Sequence, residues 1–220
     1  ALALAVNAQA GGFENARLDT AFMYDEGHLV SIGGVRKDFS VTGDTAGTTN
    51  SLIGDRNAVT IAAKYQVNDK LSLGVAAYDS GAVHVKYKGA GGPLNASGPV
   101  VNLTSDSIAL LGRYRLNDNL SFMAGARYDS FEVADGDIFS FFSGGKPSVQ
   151  SDSDVVPVAS IAYLNPEIAL RVELLYQGKS SVAMPTTCLS PILNNLNLGC
   201  AAGNSTGGLP EFLTLNFQTG

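Results

Sequence analysis

The sequence has no apolar run long enough to form a membrane-spanning helix, yet it carries little charge. Such a helix needs about 20 consecutive apolar residues, and no stretch of the 220-residue chain approaches that length. Charged residues make up only 15% of the chain, against roughly a quarter in an ordinary soluble domain. This combination excludes a helical membrane protein. It leaves two alternatives: a β-barrel membrane protein, and a soluble β-sandwich or lipocalin-like barrel.

Residues that carry chemistry are also scarce. The two histidines, His28 and His84, stand in no Ser/His/Asp or HExxH pattern, which are the settings of a catalytic triad and of a zinc hydrolase. No Cys/His spacing suggests a zinc site, and no lysine or arginine cluster offsets the net charge of −6. We therefore expect no enzymatic activity, no cofactor, no metal and no nucleic-acid partner.

What the sequence does contain is a repeated hairpin pattern. In residues 58–80, apolar and polar residues alternate in two runs joined by Val67-Asn68-Asp69-Lys70. Successive side chains of a strand point to opposite faces, so the pattern predicts an antiparallel hairpin with one apolar and one polar face. Similar patterns follow at residues 107–130 and 155–176, with a tyrosine before each turn at intervals of 49 residues. A repeat of this length predicts copies of one hairpin unit side by side.

The connections between the predicted strands fall into two lengths. Three are tight turns that contain Asn68, Asn117 and Asn165, whereas the others are several times longer. Outer-membrane barrels have short periplasmic turns and long extracellular loops, and a soluble sandwich has no reason to separate the two lengths. We therefore predict an all-β fold, a transmembrane antiparallel β-barrel, with the three turns periplasmic and the loop at residues 178–208 extracellular.

The two faces of the predicted strands differ as a membrane requires. One face is apolar and bordered by tyrosines; it comprises Val59, Ile61, Ile108, Leu110, Leu120, Phe122, Ile168, Leu170, Val172 and Leu174, with Tyr65, Tyr114, Tyr128, Tyr163 and Tyr176 at its borders. The opposite face carries the charges Lys64, Arg113, Arg115, Arg127, Asp129, Arg171 and Glu173. A charge facing lipid at mid-membrane costs roughly 2–4 kcal/mol, so the charged face should line a polar lumen. Strict alternation also places Tyr78 there, unless a β-bulge intervenes.

The chain divides into three predicted parts. Residues 1–10 end in a small-x-small pattern and read as the remainder of a secretory signal peptide. Residues 11–27 form a short N-terminal arm or plug, and residues 28–220 form the barrel portion. In an exported protein, Cys188 and Cys200 are natural disulfide partners, with two free thiols as the alternative.

Four phrases resemble the FadL/TodX family of outer-membrane transporters for hydrophobic substrates. They read KYQVNDKLSLG, RYRLNDNLSFMAGARY, YLNPEIALRVELLY and LPEFLTLNFQTG, in family order. The resemblance implies a monomeric 14-stranded barrel, plugged by an N-terminal hatch, that passes long-chain fatty acids or hydrocarbons. About eight strands are predicted here, so it also implies an N-terminal fragment. The family's early phenylalanine, which enters the ligand pocket, corresponds to Phe13.

Three arginines are candidate ligand-binding residues. Arg113, Arg127 and Arg171 occupy related positions in the hairpins and point to the predicted lumen. The planar guanidinium pairs a carboxylate bidentately, which suits a fatty-acid head group. The alternative is that they pair with Asp129, Glu173 or neighbouring carboxylates inside the barrel.

The sequence thus predicts a protein of the bacterial outer membrane, surrounded by lipid and monomeric. Its expected function is the passage of hydrophobic small molecules, long-chain fatty acids first, through the barrel lumen. A complete eight-stranded barrel with a structural or small-ligand-binding role is the alternative, and a soluble lipocalin-like binder is a third reading.

Overall fold

The computed structural model describes residues 16–40, 53–86, 100–134, 147–149, 152–188 and 203–219, and its regular structure is almost entirely antiparallel β-sheet. The strands in chain order are β1 (Leu29–Lys37), β2 (Arg56–Gln66), β3 (Leu71–Lys86), β4 (Val100–Arg115), β5 (Leu120–Ala134), β6 (Pro147–Val149), β7 (Asp152–Asn165), β8 (Leu170–Gln177), β9 (Val182–Cys188), β10 (Gly203–Gly207) and β11 (Phe212–Gln218). Two short 3-10 helices, Ala21–Met23 and Pro166–Ile168, complete the described elements.

Eight of these strands form one sheet in the order β1-β2-β3-β4-β5-β7-β8-β11, and the other three form a small sheet in the order β10-β9-β6. The large sheet is half of a barrel, which confirms the predicted all-β antiparallel barrel fold. Within the described residues, β1 and β11 are its two edges and do not pair with each other. These eight strands therefore form an open sheet, and not the closed eight-stranded barrel that the sequence left as an alternative. None of the described helices is long and apolar enough to cross a membrane.

The three predicted tight turns lie at one end of the sheet, called here the turn end; the other end is the loop end. Asn68 Oδ1 accepts hydrogen bonds from the Lys70 and Leu71 amides, both at 2.9 Å. Asn117 does the same in the next turn, with the amides of the second and third residues after it. Because an asparagine side chain can close a turn on its own backbone, these residues define the hairpins locally.

The third turn departs from the prediction. Asn165 caps a 3-10 helix at Pro166–Ile168, and Ala169 follows with a φ of 48°. Ile168 was predicted to lie on the apolar strand face, but it belongs to this turn and is exposed. Proline at the first helical position favours the helical turn over a continued strand.

The predicted alternation of faces is present in the sheet. Ile61, Leu110 and Phe122 are exposed on one face, here called the outer face, and Tyr65, Tyr114 and Tyr163 are exposed near its turn end. Cross-strand partners share a face, and the register pairs Ile61 with Ala77 and Tyr114 with Phe122. An apolar exposed face of this size suits a lipid environment.

The inner face carries the charged residues, and most of these are buried. Lys64, Arg113, Arg127, Arg171 and Glu173 are all buried, whereas Arg115 is half-buried. Tyr78 is also buried on the inner face, as strict alternation predicts, because the β-bulge lies just beyond it, between Asp79 and Gly81. What buries the inner face near the turn end is the N-terminal segment.

Candidate functional site

The N-terminal segment, defined here as residues 16–27, lies against the inner face of the sheet. Asp19 Oδ1 accepts a hydrogen bond of 2.8 Å from the Ala21 amide, which starts the short 3-10 helix Ala21–Met23. The helix turns Phe22 and Met23 towards the sheet, where both are buried. Gly27 has a φ of +67°, a conformation that glycine adopts without strain, and it leads the chain into β1.

Apolar side chains of this segment fill the middle of the inner face. Leu18, Phe22 and Met23 form one buried cluster with residues of β2 to β8, namely Ala62, Ala76, Tyr78, Ala109, Leu111, Met123, Val158 and Leu175. We call these eight strand residues the apolar belt. Gly74 leaves the space that the segment occupies, because a Cβ there would overlap Met23 and come within 2.9 Å of Phe22 Cε2. The inner wall is therefore apolar at this level, unlike the polar lumen of a water-filled barrel.

Glu173 anchors the segment through its carboxylate. It is fully buried on β8 and accepts hydrogen bonds from Thr20 Oγ1 at 2.6 Å and from Tyr24 Oη at 2.8 Å. Asn216 Nδ2 of β11 donates a third at 3.2 Å. Glu173 has no salt bridge within the described residues, and a buried carboxylate then needs such donors, so Thr20 and Tyr24 fix the position of the segment on the sheet.

Tyr24 also lies between two arginines. The guanidinium carbons of Arg113 and Arg171 lie 4.3 Å and 4.5 Å from the centroid of its ring, within the range of cation–π attraction. Burial, and then the negative charge of Glu173, raise the pKa of the Tyr24 hydroxyl. The phenol therefore stays neutral and continues to donate its hydrogen bond to Glu173.

Arg113 and Arg171 each donate one hydrogen bond to a backbone carbonyl of the segment. Arg113 Nη1 donates to the Met23 carbonyl at 2.9 Å, and its Nε donates to Ser121 Oγ at 3.3 Å. Arg171 Nη1 donates to the Ala21 carbonyl at 3.3 Å, whereas its Nε is buried and has no hydrogen-bond partner among the described residues. Across the described part of the chain, neither guanidinium forms a salt bridge with a carboxylate.

Arg127 differs from the other two. Its guanidinium pairs bidentately with Asp129, at 2.8 Å and 2.9 Å, and donates to Gln177 Oε1 at 2.7 Å and to the Gly178 carbonyl at 3.3 Å. Ser107 Oγ completes the shell of Asp129 at 2.5 Å. The protein itself thus supplies the carboxylate partner of Arg127.

An open cavity of about 300 Å³ borders the segment at the turn end. Its basic lining comes from Arg113, Arg115 and Arg171, and Tyr24 closes it towards the apolar belt. The structure therefore brings two of the three predicted ligand-binding arginines together at one cavity, with Arg127 outside its lining. Phe13 and Cys200 lie outside the described residues. The ligand-binding role of Phe13 and the Cys188–Cys200 disulfide therefore stay predictions.

The sequence reasoning missed Thr20 and Tyr24. Both stand in the short arm before the first strand, where alternation cannot assign a face. A signal was nevertheless present in the sequence. Thr20 and Tyr24 both carry a hydroxyl group and stand four residues apart, with apolar residues between them.

The sequence of the chain matches one family over most of its length. Residues 5–174 fit the family described as "TonB dependent receptor-like, beta-barrel". The chain belongs to this family. No curated protein shows significant similarity to it.

Membership of the TonB dependent receptor-like family supports the coarser part of the prediction. It is an outer-membrane β-barrel family of the transport and receptor type, and not an enzyme family. The match gives no support to the FadL/TodX resemblance or to fatty acids in particular. The secretory signal at residues 1–10 lies outside the described residues and is not shown by the match.

Proposed function

We propose that this protein passes hydrophobic small molecules, including long-chain fatty acids, through the barrel lumen, and that the N-terminal segment closes that path in the present structure. A lumen path and a plug are common to many transport barrels, so the choice of cargo has to come from the wall itself.

The observation that carries the proposal is the apolar belt. A barrel for sugars or ions needs a polar, hydrated wall, whereas here Ala62, Ala109, Leu111, Met123 and Leu175 line the inner face. Leu18, Phe22 and Met23 now cover that surface. Removing them would expose apolar area to water at roughly 25 cal/mol per Å², a cost that a hydrophobic cargo would offset by covering the same wall.

The test uses one substitution that should displace the segment without touching the outer face. A valine at Gly74 would overlap Met23 and Phe22. Valine at Gly112, on the next strand, is the matched control, because a Cβ there meets only ordinary contacts at 3.8 Å. We expect Gly74→Val to raise the initial rate of long-chain fatty-acid uptake by cells, whereas Gly112→Val stays at the wild-type rate.

Three results separate the parts of the proposal. Cells that depend on the wild-type protein should take up a long-chain fatty acid faster than cells without it; equal rates would refute the proposed function. Equal rates for wild type and Gly74→Val would show that the segment is no barrier. Faster uptake of a sugar than of the fatty acid by Gly74→Val would contradict the hydrophobic cargo.

A further inference from the structure

The turn end of the inner face holds more buried positive than negative charge. Lys64, Arg113 and Arg171 are 4%, 3% and 8% exposed, and the only buried carboxylate of this described cluster is Glu173. Glu173 takes its hydrogen bonds from two hydroxyls and an amide, and not from the arginines. Lys64 Nζ donates to the Asp25 carbonyl, which is neutral. Buried charge without a partner is costly, so the cluster favours an anion.

The two guanidinium groups have donors to spare. Each guanidinium carries five N–H groups, and among the described residues Arg113 uses two of them and Arg171 uses one. Most of their N–H groups therefore have no acceptor in the described part of the chain, and Arg171 Nε is buried there without a partner. Arg127 on the same face differs, because its N–H groups donate to a carboxylate, a side-chain amide and a backbone carbonyl.

The cavity of about 300 Å³ gives an anion access to this pair. Asp25, Glu26 and Asp118 also line it, but these three carboxylates are exposed to solvent. Water and salt screen exposed charges much more than buried ones, so they weaken the attraction of the arginines without cancelling it. They do disfavour an anion of high charge, which would be repelled more strongly than a single carboxylate.

We propose that Arg113 and Arg171 together bind the carboxylate head group of an amphipathic cargo in this cavity. The inference rests on the function proposed above and names the chemical group that the site recognises. The planar guanidinium matches a carboxylate in geometry as well as charge. Tyr24 lines this cavity and packs against the apolar belt cluster, so a head group at the arginines places the alkyl chain where it can replace the segment on that wall.

The experiment measures binding to the full-length protein in lipid nanodiscs, with dodecanoate, dodecanol and acetate as probes. The variants are Arg113→Gln and Arg171→Gln, with Arg113→Lys as the charge-preserving change. Arg36→Gln is the matched control, because its side chain is 68% exposed on β1. We expect each lumen Gln variant to weaken dodecanoate binding roughly tenfold to a hundredfold, the range of a charge-assisted hydrogen bond.

Dodecanol binding should change less than about twofold in the same variants, because the alcohol presents no charge to the arginines. Arg113→Lys should retain part of the dodecanoate affinity. Acetate should bind much more weakly than dodecanoate, since it has no chain to cover the apolar belt. Far-UV circular dichroism of every variant checks that the sheet is intact.

Each contrary result has a definite meaning. If the Gln variants weaken the acid and the alcohol equally, or neither, the arginines only position the segment and the carboxylate site is wrong, while the proposed transport stands. If acetate binds as tightly as dodecanoate, the site holds a free small anion and not a cargo head group. If the wild type binds neither long-chain probe, the proposed function fails together with this inference.

Discussion

At the scale of single residues, the three inner-face arginines show how similar strand positions acquire different roles. Arg127 has Asp129 two residues away on its own strand, with both side chains on the inner face, and the two form a bidentate pair. Arg171 also has a carboxylate two residues away, Glu173, but that carboxylate accepts its hydrogen bonds from Thr20, Tyr24 and Asn216. Arg113 and Arg171 instead donate to carbonyl groups of the N-terminal segment. The nearest available acceptor, and not the strand position, therefore decides what each arginine does.

Replacing Arg127 with alanine should strongly destabilise the sheet. Asp129 is 0% exposed, so the substitution leaves a buried carboxylate without its cation, which costs about 3–5 kcal/mol. Urea unfolding of the protein in lipid vesicles would measure the loss. Arg36→Ala is the control: Arg36 of β1 pairs with Asp38 just after the strand, and both side chains are exposed, so this salt bridge is worth only about 0–1 kcal/mol. Equal midpoints for the two variants would contradict this account of Arg127.

At the scale of the elements, the pairing of β4 with β5 depends on a glycine, because backbone atoms of β4 occupy the space that a side chain would need. A Cβ at Gly125 of β5 would overlap the Leu110 carbonyl and lie 3.0 Å from the Leu111 Cα of β4. Backbone atoms of a paired strand cannot move aside as a flexible side chain can. The close approach of β4 and β5 therefore requires glycine at this position.

The substitution Gly125→Ala should lower the free energy of unfolding, because the two strands would have to separate locally. Overpacking of this kind costs typically about 1–3 kcal/mol. Gly112→Ala on the neighbouring strand should be neutral or slightly stabilising, since a Cβ there meets its nearest atoms at 3.8 Å and alanine is favoured over glycine by about 0.5–1 kcal/mol. The same urea measurement compares the two; a stable Gly125→Ala would show that the strands do not approach so closely.

At the scale of the whole molecule, the sheet separates its connections as it separates its faces. The turns at Asn68, Asn117 and Asn165 all lie at the turn end, and the N-terminal segment enters β1 from that same end. The small sheet of β6, β9 and β10 belongs to connections at the loop end. In an outer-membrane barrel the short turns face the periplasm.

The orientation is testable in whole cells with epitope tags. A tag inserted between Asn117 and Asp118 should bind antibody only after the outer membrane is permeabilised, because the turn end should face the periplasm. A tag inserted within the loop at residues 178–208 should bind antibody on intact cells. The opposite pattern would invert the topology and place the arginine cavity on the extracellular side.

The fold was readable from sequence wherever local chemistry decided the structure. Period-two alternation in residues 107–130 predicted β4 and β5 and their faces, because a pleated strand sends successive side chains to opposite sides whatever surrounds it. Asn68 and Asn117 marked the turns for a similarly local reason, a side chain that bonds its own backbone. Ile168 was misplaced where Pro166 began a helical turn that alternation does not detect.

The sequence by itself determined the strands of the large sheet, its apolar outer face and the placement of charged residues on its inner face. It did not predict that those charges are buried, or that β6, β9 and β10 lie in segments predicted as loops. Only the tertiary structure decided what those charges contact. Thr20 and Glu173 are 153 residues apart in the chain, and their bond exists because the sheet brings β8 beside the N-terminal segment. Contacts between distant residues depend on how the elements pack, and no short-range pattern encodes them. For the same reason, the separation of Arg127 from the Arg113–Arg171 pair became visible only in three dimensions.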